Sequence, residues 1–349
     1  MQFVVRFAHL TSFWVLLRLQ FLLLSAAPLI SPEALSPDDT LFAHLRCFEL
    51  FASKQSTDRA RDAAEWLGCS EHYLHQTERT PPFVRCVLTR LRFYDAQNER
   101  FNVSVIASQY GVYKRWITLD MEEIESFIND TSRVEKLDGS RDEAIYDAFA
   151  ALFHSHSNAF FQLFLRDTSV LQNMYDDKTI SVRKPNQTMV QFCELQMSVE
   201  LWTDICLLRV YEISNHTQAM ERHITCIFRG FHYLDADGFI DVNEITFDYE
   251  HTGSLSEDTK DNIQQCATNS SRYYPIPKRS LAMYRCLLTG SEREAFKEAF
   301  DFREIRSGNQ MFTIENLPYD RVDVKQQIQA LDKQHCNDRR HPTGMPTLD

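Results

Sequence analysis

The chain has 349 residues, of which 44% are hydrophobic and 25% charged, and its formal net charge is −12. This length accommodates two domains of ordinary size, and the composition allows each domain to bury a hydrophobic core. The acidic balance argues against nucleic acids and anionic membranes as partners, because both favour basic protein surfaces.

The N-terminus has the pattern of a secretory signal peptide. Arg6 and His9 precede an apolar run, and small residues around 25–27 suit cleavage. A membrane anchor is the alternative, but Arg18 interrupts the run. We therefore predict a signal peptide at residues 1–27 and a secreted chain with no membrane span.

Nine cysteines and five sequons agree with secretion. No two cysteines form a C-x-x-C pair, which argues against zinc ribbons and thioredoxin-like chemistry. In an oxidising compartment we expect a disulfide framework instead. The candidate N-glycosylation sites are Asn102, Asn129, Asn186, Asn215 and Asn269.

Two stretches of the chain share one pattern. Residues 86–106 and 226–245 each begin with Cys, place an Asp nine residues later, and resume with apolar residues after a polar turn. The apolar residues before each turn recur at helical spacing. We predict a helix–turn–helix unit that occurs twice, with Asp95 and Asp235 at the turns.

The second copy also resembles an EF-hand calcium loop. Counted from Gly238, ligand positions fall on Asp235, Asp237 and Glu244, but the first position is Tyr233, and a phenol is a poor calcium ligand. A turn in which Asp and Gly supply the backbone geometry is the favoured interpretation. We expect no metal site and no cofactor.

Most of the remaining chain is predicted to be helical. Few segments alternate with a period of two, and glycine is scarce at nine residues. A polar stretch at 176–190 separates the two copies, so we predict an all-α protein with domains at 36–180 and 188–340. The segments with helical periodicity are 143–166, 200–212, 221–234 and 291–306.

A cysteine-stapled helical unit of this kind resembles insect odorant-binding proteins. Two such units in tandem resemble the long-form D-seven salivary proteins of blood-feeding mosquitoes, most specifically in "RHITCIFRGFHYLD" and "EAFKEAFDFREIRS". The resemblance implies two odorant-binding-protein-like domains and secretion in saliva. It also implies that the C-terminal domain captures host amines (serotonin, noradrenaline, histamine) and that the N-terminal domain captures eicosanoids, notably cysteinyl leukotrienes.

The resemblance assigns an amine pocket to the C-terminal domain. Asp301 and Glu304, three residues apart on one helix face, should accept the ligand ammonium through charge-assisted hydrogen bonds. Without the resemblance, such an acidic pair is more often a solvated helix face. Phe300 is expected to pack on the ligand ring.

Three further residues complete this pocket. His223 and Tyr284 can bond ring N–H or hydroxyl groups of the ligand. Arg209 is expected to orient a carboxylate and to keep both acids ionised despite burial. Individually, each residue could equally be an ordinary helix or core residue.

Family pairing also implies four disulfides and leaves Cys69 without a partner. The N-terminal domain departs from the family pattern, since Pro82 stands where the family has a cysteine and the cysteine that would pair with it is missing as well. Loss of that bridge is expected to loosen the domain by about 2–4 kcal/mol. The implied pairs are Cys47–Cys86, Cys193–Cys226, Cys206–Cys336 and Cys266–Cys286.

In the N-terminal domain, residues 144–165 form an apolar stretch that either lines a lipid pocket or belongs to an ordinary core. Lys184 lies near the position of a family lysine that meets an acidic lipid group. Eicosanoid binding is therefore a separate expectation, carried by other residues than amine binding.

Two other functions stay open. The fold also suits a chemosensory odorant carrier, and a secreted anticoagulant that binds proteins could keep a vestigial pocket. No nucleophile–base constellation is visible, so we expect no enzyme activity. The expected partners are small host mediators, bound by a monomer.

Overall fold

The computed structural model describes residues 34–51, 71–74, 77–164, 168–213, 217–235, 237–309 and 318–337. Within these ranges the regular structure is helical, apart from an isolated bridge and one antiparallel pair of two-residue strands, β1 (Tyr94–Asp95) and β2 (Arg100–Phe101). The predicted all-α class is confirmed. The predicted signal peptide, Cys69 and Asn215 lie outside the described residues.

The helices fall into two halves that join at residues 177–187. The first half contains α1 (Pro37–Phe51), α2 (Glu71–Leu74), α3 (Thr80–Arg90), α4 (Val103–Tyr113), α5 (Met121–Ser132), α6 (Asp142–Phe164) and α7 (Thr168–Asp176). The second half contains α8 (Met189–Leu195), α9 (Trp202–Arg209), α10 (Thr217–Gly230), α11 (Val242–Thr252), α12 (Glu257–Ser270), α13 (Ile276–Thr289), α14 (Arg293–Ser307) and α15 (Arg321–Asp332), followed by a π-helical turn (Lys333–Asn337).

Local sequence explains where several helices begin and end. The four predicted segments correspond to α6, α9, α10 and α14. A capping box starts α5, in which Asp120 accepts from the Glu123 backbone and Glu123 bonds back. Gly253 ends α11 in the left-handed conformation, with a φ of 68°. No described helix is long and apolar enough to cross a membrane.

Each half has its own hydrophobic core, and disulfides fasten helices within each half. The chain therefore has two tandem disulfide-stapled helical domains, as the resemblance implies. The first core is built largely from aliphatic residues of α3 and aromatic residues of α6, and the second from residues of α10, α13 and α14. The disulfides in the described chain are the pairs implied by the resemblance, namely Cys47–Cys86, Cys193–Cys226, Cys206–Cys336 and Cys266–Cys286.

The predicted internal repeat is confirmed by the backbone that follows α3 and α10. Six residues after its cysteine, each copy places a non-glycine residue in the left-handed region, Arg92 at φ 56° and His232 at φ 59°. This conformation is uncommon outside glycine. Its recurrence at matching positions shows that both copies stop the first helix in the same way.

Both copies also build the turn and the next helix alike. Asp95 Oδ1 accepts the N–H of residue 97 at 2.9 Å, and Asp235 Oδ1 accepts the N–H of residue 237 at 2.9 Å. Asn102 and Asp241 then cap the helices that follow. The calcium-like loop is therefore a turn with an Asp that bonds its own backbone.

Glu244, the last ligand position of that loop, serves another purpose. It is fully buried and forms two hydrogen bonds with Arg46 of α1, Nε to Oε1 and Nη2 to Oε2, both at 2.8 Å. Arg46 is fully buried as well. Beside this pair, Phe42 of the first half stacks on His232 of the second, with ring centroids 3.6 Å apart. A desolvated bidentate ion pair thus joins the two halves.

Candidate functional site

The predicted acidic pair lies on α14, facing the second core. Glu304 is buried and Asp301 half-buried, and the neighbouring Phe300 belongs to the second core. Spacing of three residues places both carboxylates on one helix face. The hydroxyl of Tyr211 donates to Asp301 Oδ1. The pair is therefore a core feature and not a solvated helix face.

Arg209, the last residue of α9, reaches the same place. Its guanidinium bonds Glu194 of α8 at 2.5 and 2.9 Å, approaches Glu304 Oε1 at 3.2 Å, and reaches Asp332 at 3.3 Å. Three carboxylates thus contact one guanidinium, and a fourth, that of Asp301, lies on the same helix face as Glu304. We call these five residues the acidic site. Its excess of negative charge favours a cation.

Burial changes the protonation of both acids. It raises the pKa of Glu304 to about 7, although Arg209 opposes the shift, and it raises the pKa of Asp301 to about 6, although the Tyr211 hydroxyl opposes it. Arg209 favours the ionised form of both acids, as expected, but burial outweighs it, so Glu304 is only partly ionised near neutral pH. The negative charge of Glu194 adds to the effect of burial on Glu304.

Neutral polar groups border the acidic site. His223 of α10 is buried, and neither ring nitrogen has a hydrogen-bond partner among the described residues; the same holds for the Tyr284 hydroxyl on α13. Burial, helped by the charge of Arg209, lowers the pKa of His223 to about 4, so the ring is neutral. The Tyr284 ring lies 6.0 Å from that of Phe300. These groups can bond a ring hydroxyl or N–H.

The structure therefore brings together all six residues predicted for the amine pocket. Sequence reasoning missed Glu194, Tyr211, Thr188 and Asp332. The first two carried a signal, since Glu194 directly follows a core cysteine and Tyr211 lies two residues after Arg209. Nothing in the local sequence marks Thr188, whose hydroxyl donates to Glu304 Oε1 at 3.2 Å.

The first half holds a second set of unpaired polar groups. His44 is buried, and its Nδ1 bonds the Thr40 carbonyl at 2.8 Å, which leaves Nε2 without a partner in the described chain. The buried Tyr73 hydroxyl also lacks one, and the two rings lie 6.3 Å apart. Phe153 and Phe160 of α6 pack on Tyr73. Burial lowers the pKa of His44 to about 4, so this aromatic site is uncharged.

The remaining predicted residues lie at the surface or in the core. Residues 145–164 contribute to the first core, on whose aromatic rings Tyr73 packs. Lys184 is exposed in the turn between the halves, where its N–H donates to Gln187 Oε1 at 3.1 Å. Of the sequons, Asn129, Asn186 and Asn269 are exposed, and Asn102 is half-buried as a helix cap. In the described part of the chain no group of three or more His, Cys, Asp or Glu residues could hold a metal ion.

Comparisons with known proteins give relatives in sequence and neighbours in structure. The long form salivary protein D7L3 of Anopheles gambiae is 61% identical over 337 residues, which cover 93% of this chain and 95% of that protein. No protein-family profile matches the chain.

Two solved structures share the fold. The AeD7–leukotriene E4 complex is 24% identical with a TM-score of 0.67, covering 82% of this chain and 95% of that one. The AnSt-D7L1–U46619 complex is 21% identical with a TM-score of 0.68, covering 86% of this chain and 97% of that one. At 21% and 24% identity these structures establish the fold alone, whereas the 61% identity to the Anopheles protein establishes family membership.

Proposed function

The chain belongs to the long-form D-seven family of mosquito salivary proteins, and on that premise we propose that it is a secreted scavenger of small host mediators. Its second half, residues 188–340, binds biogenic amines such as serotonin, noradrenaline or histamine. Its first half, residues 36–180, binds an eicosanoid. Residues 1–27 direct secretion, and the protein acts by sequestration and not by catalysis.

The acidic site carries the amine proposal. The site holds four carboxyl groups and one guanidinium, and a bound cation would favour the ionised form of Asp301 and Glu304 in a place where burial strengthens electrostatic attraction. Asp301 and Glu304 accept the ammonium, and the aromatic rings of Phe300 and Tyr284 enclose the apolar part of the ligand. His223 then bonds the ring substituent, because a neutral imidazole both donates and accepts.

The first half favours a different ligand. His44 and Tyr73 offer one unpaired acceptor and one unpaired donor inside an aromatic core and carry no charge. Such a pair suits the hydroxyl or carboxyl group of a lipid better than an ammonium. Two structures with this fold were solved with leukotriene E4 and with U46619. We assign the polar contacts of an eicosanoid to His44 and Tyr73, and Lys184 has no part in this assignment.

Calorimetry of the oxidised, secreted protein tests the amine proposal. Serotonin is titrated into wild type and into the double variant Asp301→Asn/Glu304→Gln, which removes charge with little change of volume. Each charge-assisted hydrogen bond contributes about 1.5–3 kcal/mol, so affinity should fall at least about 100-fold. The matched control is Glu294→Gln, whose carboxylate lies on the same helix but is exposed and paired with Lys297. Undiminished binding by the double variant would refute the site.

A second ligand separates this function from the alternatives. The compound 5-hydroxyindole has the serotonin ring without the amine. If it binds as tightly as serotonin, the pocket is that of a neutral odorant carrier. If neither compound binds a folded sample, the proposal for the second half fails, and protein partners become the next targets.

A further inference from the structure

We propose that Asp38, Arg183, Thr188 and Ser307 form a clasp through which the first half of the chain positions Glu304 in the acidic site. The clasp positions a residue of the proposed amine site, so the effect of the clasp on amine binding rests on the proposed function. The effect of the clasp on the position and pKa of Glu304 is independent of that function. The clasp makes Arg183 and Thr188 positioning residues, since we assign neither of them a contact with the ligand.

Arg183 lies at the centre of the clasp. It is buried in the segment between the halves, and its Nε and Nη2 bond the two carboxylate oxygens of Asp38 at 2.7 and 3.1 Å. Its Nη1 donates to the carbonyl of Gln187 at 2.7 Å and to the carbonyl of Ser307. One guanidinium therefore ties α1 of the first half to the start of α8 and the end of α14.

Arg183 contacts the C-terminal end of α14, where a positive charge is favourable. Ser307 is the last residue of α14, and the final carbonyls of a helix lack partners within the helix and carry partial negative charge. A buried arginine satisfies such a carbonyl and is itself neutralised by Asp38. In the clasp, the positive charge of Arg183 and the negative charge of Asp38 are therefore paired with each other.

Thr188 carries the clasp into the acidic site. Its hydroxyl accepts the N–H of Gln191 at 3.2 Å, which caps α8, and donates to Glu304 Oε1 at 3.2 Å. The next residue, Met189, donates its N–H to the hydroxyl of Ser307 at 2.9 Å. The start of α8 and the end of α14 are therefore fixed against each other at three points.

This arrangement determines which oxygen of Glu304 meets the ligand. Arg209 and Thr188 both contact Oε1, at 3.2 Å each. Oε2 is then the oxygen assigned to the ammonium. If the clasp opens, Thr188 leaves Oε1, the ionised form of Glu304 loses a hydrogen bond, and the carboxylate loses its orientation. The charged groups that act on Glu304 are Arg209 of α9, Glu194 of α8, and Asp301 on its own helix.

The test uses the full chain with four variants and two measurements. Arg183→Gln and Asp38→Asn open the clasp, Thr188→Val removes the hydroxyl, and Thr188→Ser restores it. The control is Arg115→Gln. Arg115 pairs with Asp177, which precedes Arg183 by six residues in the sequence, but the Arg115 side chain is about half exposed. The measurements are the pKa of Glu304 in the ligand-free protein by carboxyl carbon-13 NMR and the serotonin Kd between pH 6 and 8.

We expect the pKa of Glu304 to rise in Arg183→Gln, Asp38→Asn and Thr188→Val and to stay near wild type in Thr188→Ser and Arg115→Gln. One lost hydrogen bond contributes about 1 kcal/mol, so serotonin affinity should fall about 5-fold in the first three variants. Asp38→Asn is the milder change and decides the matter if Arg183→Gln fails to fold.

The two proposals fail in different ways. Wild type that binds no serotonin refutes the amine function, and the clasp is then judged on the pKa of Glu304 alone. An unchanged pKa in folded Asp38→Asn and Thr188→Val refutes the clasp, whatever the protein binds.

Discussion

Removing one partner of the buried pair Arg46–Glu244 should strongly destabilise the two-domain chain. Glu244→Ala removes both hydrogen bonds to Arg46 and leaves a guanidinium with no exposed surface. Breaking one partner of a buried pair costs about 3–5 kcal/mol. Glu49 also bonds Arg46, and its side chain is 19% exposed, so part of the charge stays compensated. We therefore expect a loss near 3 kcal/mol.

Urea unfolding with the disulfides intact measures this loss, because the midpoint and slope give the free energy of unfolding. The control Glu257→Ala removes an exposed pair with Lys260 and should cost less than about 1 kcal/mol. The double variant Arg46→Met/Glu244→Leu removes both charges and should recover part of the loss, since Arg90 and Arg303 still lose the Glu244 carboxylate. If the free energy of unfolding of Glu244→Ala lies within about 1 kcal/mol of the wild-type value, the pair does not hold the halves together.

Three further predictions follow from the buried titratable groups. Because the pKa of Glu304 is about 7 and that of Asp301 about 6, binding of an ammonium at pH 6.5 should release protons; calorimetry in buffers of different ionisation enthalpy measures the number, and zero release contradicts the assignment. His223 has a folded pKa of about 4 against an ordinary 6.5, so between these pH values the unfolded state binds more protons than the folded state. The free energy of unfolding should therefore fall by up to about 3 kcal/mol as the pH drops from 6.5 to 4. In urea unfolding at several pH values, His223→Phe should reduce this dependence on pH. Tyr73→Phe removes an unpaired buried hydroxyl, so thermal unfolding should show unchanged or higher stability while leukotriene E4 affinity falls; a loss of stability would mean that the hydroxyl already has a partner.

The sequence determined the fold and part of the acidic site. Hydrophobic periodicity placed α6, α9, α10 and α14, since a helix that buries one face needs apolar residues at that spacing. The repeated pattern after Cys86 and Cys226 fixed the shared turn, because a left-handed residue and an Asp that bonds its own backbone are local features. Asp301 and Glu304 could be placed together because three residues separate them on one helix.

The contacts between distant helices became known only from the tertiary structure. Glu244 fits a calcium loop in sequence, yet its partner Arg46 is 198 residues away and no local pattern links the two. Burial raises the pKa of Glu304 and the charge of Glu194 adds to it, and both effects depend on how α8, α9 and α14 pack in space. Ion pairs and desolvation act through distance and burial, and both are fixed only when helices distant in the chain pack together.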